Sequence, residues 1–332
     1  MLLESSPRRS AAPKIIELTP PFRRAYIRYL IICHVIPALG MLVAFSLLFY
    51  RPIGLPEVSM FFAMWLPVTL SITVGYHRLF THRSFSTTRL IRVSLAILAA
   101  MAGQGSAIYW VSVHRRHHEC SDVDGDPHSP HENDHGFWNK IRGLLHSHMG
   151  WTLGHEYPNP LHYAPDLVSD RDLNWISRHL LAWFVIGLLI PAVAVGCVRG
   201  TWYGALSGLL WGGFVRVFVG NNIVWSVNSI CHSFGSRPFS TREHSTNNVL
   251  LAIPTLGEAW HNNHHAFQTS AIFGLRWWEI DIGGAAVRVL QVLGLAWEVK
   301  IPSPEMVEQK RGGVVKQESE STAPADSKSA NH

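Results

Sequence analysis

Residues 111–120 read VSVHRRHHEC and residues 257–267 read GEAWHNNHHAF, so the pattern HxxHH occurs twice, as His114, His117, His118 and as His261, His264, His265. On a helix, residues three and four apart share a face, so His114 stands beside both of its partners. Two adjacent rings at the end of such a box can reach two neighbouring metal ions. A further pair, His77 and His82, lies in GYHRLFTHRSF at residues 75–85. A spacing of five leaves rings about 140° apart on an ideal helix. These two share a metal only if the helix ends or distorts between them.

The histidines also decide how the chain crosses a membrane. Of 332 residues, 47% are hydrophobic and only 15% charged, well below the quarter or so that is charged in soluble domains. Four apolar stretches are long enough to span a bilayer, at roughly 28–50, 56–76, 180–198 and 203–225. A fifth, about 90–110, separates His82 from His114. One crossing there would put the boxes on opposite faces, so this stretch is expected to be interfacial, re-entrant or packed among the others. Two spans between His118 and His261 return the chain to the starting side. That side carries most of the Lys and Arg, against only Arg51 and Arg199 in the opposite turns, and is therefore cytoplasmic by the positive-inside rule. The same rule accounts for the net charge of +5. Residues 1–25, a basic arm, and 303–332, rich in Ser, Lys and Glu, are expected to be disordered. Between them, residues 26–302 form one membrane domain. No cleavable signal peptide is expected, because the first apolar run is too long for one.

Eight clustered histidine nitrogens exceed what one ion needs and imply two metals. Imidazole alone does not choose among Fe, Zn, Cu and Ni. A structural zinc site usually includes cysteine, and Cys33, Cys120, Cys197 and Cys231 are scattered, with no ligand spacing and no sign of a disulfide framework. Two redox-active metals beside a membrane suggest O2 activation for attack on a hydrocarbon, with iron the natural candidate. His34, alone in the first span, reads as a structural residue.

Together these strings resemble the membrane fatty-acid desaturase superfamily, and more narrowly the stearoyl-CoA (delta-9 acyl-CoA) desaturases. The likeness runs from about Thr69 to Ile301 and includes HRRHHECSDVDGDPH, HSHMGW, WSVNSICHSFGSRPF and LRWWEIDI beside the boxes. It implies an all-α integral membrane protein of four transmembrane helices in two hairpins, with a cytoplasmic helical cap carrying a di-iron site. It also implies a ninth histidine ligand, His232, and Asn228 approaching a metal through water. Gln104 and Trp110 match residues lining a bent acyl tunnel, and Val224 stands where family members commonly have Thr. Gln268 replaces the usual Pro after the third box. These departures bear on chain length and bond position.

Asp126 and Glu258 are candidates to orient ligand histidines. Arg78, Arg115 and Arg116 could meet an acyl-CoA headgroup or an acidic electron carrier, or pair with Asp122 and Asp124. The remaining loop histidines, His128, His131, His135, His146, His148, His155 and His162, read as interfacial or hydrogen-bonded. The resemblance implies a multi-pass enzyme, in a bacterial cytoplasmic membrane with both termini cytoplasmic. It would use O2 and two external electrons to place a cis double bond, delta-9, in a long-chain acyl-CoA or acyl lipid. No cytochrome b5, Rossmann or iron–sulfur signature is present, so the donor would be a separate ferredoxin, rubredoxin or cytochrome b5 with an NAD(P)H reductase. Membrane lipid is the other expected partner, and nucleic acid is not one. A hydroxylase on the same histidine framework remains open. A metal transporter should carry its ligands near the bilayer midplane, and a haem carrier needs axial histidines on facing helices.

Overall fold

The computed structural model describes residues 12–131 and 136–311. The start of the basic arm, His135 and most of the polar tail lie outside those residues. Four long apolar helices can cross a membrane: Pro20–Leu47, Leu55–Thr81, Leu180–Arg199 and Trp202–Ser229. They agree with the four expected stretches, and the chain is an integral membrane protein. The first span begins earlier than expected, because Pro20 occupies the first turn, where its missing N–H costs nothing.

Order extends beyond the limits set from composition. Disorder was expected through residue 25, yet Ile15–Glu17 is a strand paired antiparallel with Glu156–Pro158. Its two isoleucines give the arm enough β propensity to dock on the cap. At the other end residues 304–311 are helical, because Val307 is buried against Phe239 and Ala266.

The ambiguous stretch does not cross. Arg89–Ala100 and Ala107–Cys120 are separate helices, joined through a turn in which Gly103 and Gly105 take positive φ values of 74° and 94°. The turn sends the chain back, so the second box emerges on the side of the first.

The spans pack closely through small residues, as helices in lipid commonly do. A Cβ added to Gly40 would lie 2.2 Å from Phe214, and one added to Gly208 would lie 2.2 Å from the Pro191 carbonyl oxygen. At the end away from the histidines, Glu57 joins the two hairpins. Its carboxylate, buried at the start of the second span, accepts from Arg199 at 2.6 Å and from Ser207 at 2.9 Å.

Arg216 is buried in the fourth span and spends its guanidinium on backbone. It donates to the carbonyls of Met101 at 3.0 Å, Gly187 at 3.0 Å and Gly212 at 3.3 Å. The second contact has a direct cause. Pro191 has no N–H, so the carbonyl four residues earlier, Gly187, has no helical partner. The first pins the turn after Ala100. Replacing Arg216 with Met should therefore strand three carbonyls away from water. A loss of about 3 kcal/mol is expected, read as a lower thermal midpoint of the detergent-solubilised protein. Arg216→Lys, which cannot bridge all three, should fall between the two.

Candidate metal centre

The first histidine pair meets its geometric condition through a change of helix type. From Ser71 to Thr81 the second span is π-helical, and the His82 amide bonds to the His77 carbonyl at 3.2 Å, five residues back. The wider turn brings the rings to a centroid separation of 4.9 Å. Wide turns of this kind are frequent at functional sites.

Nine histidines gather into two buried groups. His77, His82, His114, His118 and His264 form one, and His117, His232, His261 and His265 form the other. Adjacent residues divide between them: His117 and His118 go to different groups, and so do His264 and His265. In the first group the Nε2 atoms make a closed ring of contacts. His77 to His114 is 2.9 Å, His114 to His118 is 3.0 Å, His118 to His264 is 3.0 Å and His264 to His77 is 3.1 Å. In the second, His261 Nε2 lies 2.9 Å from that of His232 and 3.1 Å from that of His265.

Several of these rings are oriented from behind by carboxylates. His77 Nδ1 faces Glu258, His117 Nδ1 faces Asp126 at 3.0 Å, and His232 Nδ1 faces Asp122 at 2.8 Å. A ring that gives its Nδ1–H to a carboxylate keeps a lone pair on Nε2. Burial pushes the pKa values of His114, His118, His261 and His264 well below the ordinary range, so these rings are neutral. Neutral imidazole nitrogens that converge to such separations make a donor set that a metal ion would fill. A flat ring with those edges has a half-diagonal of about 2.1 Å, matching a metal–imidazole bond of about 2.0–2.1 Å. The donor set therefore fits a metal in each group.

The carboxylates divide unevenly. Glu258 serves the five-histidine group and is itself paired with Arg78. The four-histidine group has Asp126, Asp122 and, 3.4 Å from His265 Nδ1, Glu243. Sequence reasoning had named Asp126 and Glu258 but had not assigned Asp122 or Glu243 to a histidine. Asp122 follows His118 by four residues within SDVDGD, which is a usable signal. Glu243 lies in a loop with none.

Arg78 has no surface to offer a headgroup or a carrier. Its side chain is fully buried, donating to Glu258, to Asp281 at 2.9 Å and to the Ala271 carbonyl at 3.0 Å. Arg115 is occupied by Asp166 at 2.7 Å and the Phe80 carbonyl at 2.7 Å, which fixes the end of the second span. Arg116 pairs with Glu156 at 2.7 Å. The expected pairings with Asp122 and Asp124 are replaced by these.

A cavity opens beside the centre. Gln104, Trp110, Val224 and Asn228 line it, together with His114 and His128. Trp110 stacks on His114 at 4.9 Å, and its indole N–H donates to Gln104 at 3.3 Å. His128 had read as an ordinary loop histidine. It is buried, with its ring 4.4 Å from that of His117.

Residues 55–288 match the fatty acid desaturase family, and the chain belongs to it. It is 47% identical over 286 residues to the hex-5-enoyl-[acyl-carrier protein] acetylenase of Moorena producens (strain JHB), covering 86% of this chain and 89% of that protein. It is 38% identical over 243 residues to the sn-1 stearoyl-lipid 9-desaturase of Anabaena variabilis, covering 71% of this chain and 81% of the relative. The delta-9 acyl-lipid desaturase 1 of Arabidopsis thaliana is also 38% identical, over 234 residues, 70% of this chain and 72% of its own length. The protein is thus a desaturase-family oxidoreductase of fatty acyl chains, with histidine clusters typical of that family's di-iron site.

His264→Ala and His117→Ala each remove a ring from a different group. Each should lower metal content by roughly one ion per chain, measured by elemental analysis of protein that still inserts into membranes. Glu258→Gln and Asp126→Asn keep every ring and should weaken metal retention against a chelator by about 10- to 100-fold.

Proposed function

We propose that the protein is an O2-dependent desaturase that places a cis double bond, at delta-9, in a long-chain acyl group carried as a thioester or lipid. The observation that supports this reading is the cavity with His114 on its wall, where an acyl chain would lie against the five-histidine group. His77, His82, His114, His118 and His264 would hold one iron and His117, His232, His261 and His265 a second, with Asn228 acting through water, and the pair would supply the O2 chemistry for removing hydrogen from two adjacent methylenes.

The protein's own residues position the chain and keep water away. Trp110, stacked on His114, and Val224 give the cavity an apolar wall beside the reacting carbons, and Gln104 holds the Trp110 indole in place. Positioning of this kind converts a diffuse encounter into one oriented geometry. Tyr26, Tyr109, Trp151 and Thr152 also line an adjoining groove that reaches Asp124, His155 and Glu156. That polar groove suits the carrier end of the substrate. No side chain acts as nucleophile. Two electrons per turnover come from a separate carrier protein, of ferredoxin, rubredoxin or cytochrome b5 type with its NAD(P)H reductase. It docks on the cytoplasmic face of a bacterial cytoplasmic membrane, where both termini also lie.

A second reading has a specific observation in its favour. The 47% identical relative is named for action on an acyl group bound to acyl-carrier protein, so the carrier here is a protein thioester in that reading, and the product an alkyne.

Expression in an auxotroph for unsaturated fatty acids, with mass spectrometry of the lipids, tests both. The first reading expects rescue and a new delta-9 double bond, lost in His117→Ala and His264→Ala. Conversion of a terminal alkene on acyl-carrier protein, without rescue, favours the second. Full rescue by both histidine variants removes the metal centre from the chemistry.

A further inference from the structure

We infer that Asn221 is the partition that ends the acyl cavity and limits how far a substrate chain extends past the reacting carbons. This rests on the acyl-cavity reading above. Gln104 and His34 face the cavity. Behind them lies a second, smaller void between the second and fourth spans, lined by Val68, Ile72, Val217 and Asn221. Asn221 bonds to both residues in front of it. Its Oδ1 accepts from Gln104 Nε2 at 3.0 Å, and its Nδ2 donates to His34 Nδ1 at 3.3 Å.

The bar is well built for a membrane interior. Asn221 is 3% exposed, and a buried amide is costly unless its groups are paired. Here each end of the amide has a partner, so the three side chains form a closed polar crosspiece in an otherwise apolar passage. An alkyl terminus reaching it meets the bulk of the Asn221 side chain, which those two bonds hold across the passage. His34 thereby has a place in the passage that its isolated position in the sequence did not suggest.

Helix geometry gives the scale. Asn228, beside the centre, and Asn221 stand seven residues apart on the fourth span, a rise of about 10 Å, or roughly eight extended carbons. Removing the bar joins the two spaces.

The test uses full-length protein in lipid nanodiscs, metal-free and metal-loaded, with saturated acyl-CoA and acyl-carrier-protein thioesters of increasing length. In the metal-free wild type, binding should strengthen about fourfold per added methylene until the chain meets the bar, and then stop improving. In Asn221→Ala the stopping length should move out by about one or two carbons, and the loaded enzyme should accept the same longer chains. Asn221→Leu, which keeps the bulk and loses both bonds, should keep the wild-type stopping length. So should Asn222→Ala, on the next residue of the helix. A folded Asn221→Ala protein with the wild-type stopping length would overturn the inference, as would equal lengthening by Ala and Leu. If no thioester of any length binds the wild type, the acyl-cavity reading itself fails.

Discussion

Histidine Nε2 atoms from distant parts of the chain converge to about 3 Å of one another, and the rest of the molecule is arranged to hold them there. The rings come from residues as distant in sequence as His77 and His265. The Gly103–Gly105 turn brings the second box back to the side of the first. The π-helical stretch swings His77 and His82 together. Carboxylates behind His77, His117, His232 and His265 face their Nδ1 atoms and turn their Nε2 atoms inward. Each of these devices is locally unfavourable or neutral, and each becomes useful once a metal compensates the converging lone pairs. Metal binding and completion of the cap are in this sense one equilibrium.

Much of this was legible from residue spacing, because it follows from counting. Apolar length fixed four spans. The requirement that three boxes share a side demoted the stretch at 90–110, and the helical rule for three- and four-residue spacing put His114 with its neighbours. The five-residue spacing of His77 and His82 announced a distorted helix without saying which distortion. Composition misled at the edges, where Ile15 and Ile16 in the arm and Val307 in the tail find partners that only the folded cap supplies. Arg78 and Arg115 misled for a related reason. Arginine beside a ligand reads as a docking charge, and only the fold reveals that Glu258, Asp281 and Asp166 already occupy these two.

What spacing could not supply was anything built across long sequence separations by residues without a pattern of their own. Glu243 reaches His265 from a loop, and Arg216 meets carbonyls on two other segments. His34, Gln104 and Asn221 come from three parts of the chain to make one crosspiece. None belongs to a repeat, a box or a periodic face. Their roles come from complementarity: a proline frees a carbonyl and an arginine fills it, and an amide lies between two groups that need it.

The division of neighbouring histidines between the two groups has a consequence for the separation of the ions. His117 and His118, like His264 and His265, differ by one residue on a helix, a step of about 1.5 Å along the axis and about 100° around it. Two helices thus act as rulers of fixed graduation, each contributing a ring to both groups. The separation of two ions held there would be tied to peptide geometry instead of to loops. The cavity walls could change by substitution without altering that spacing.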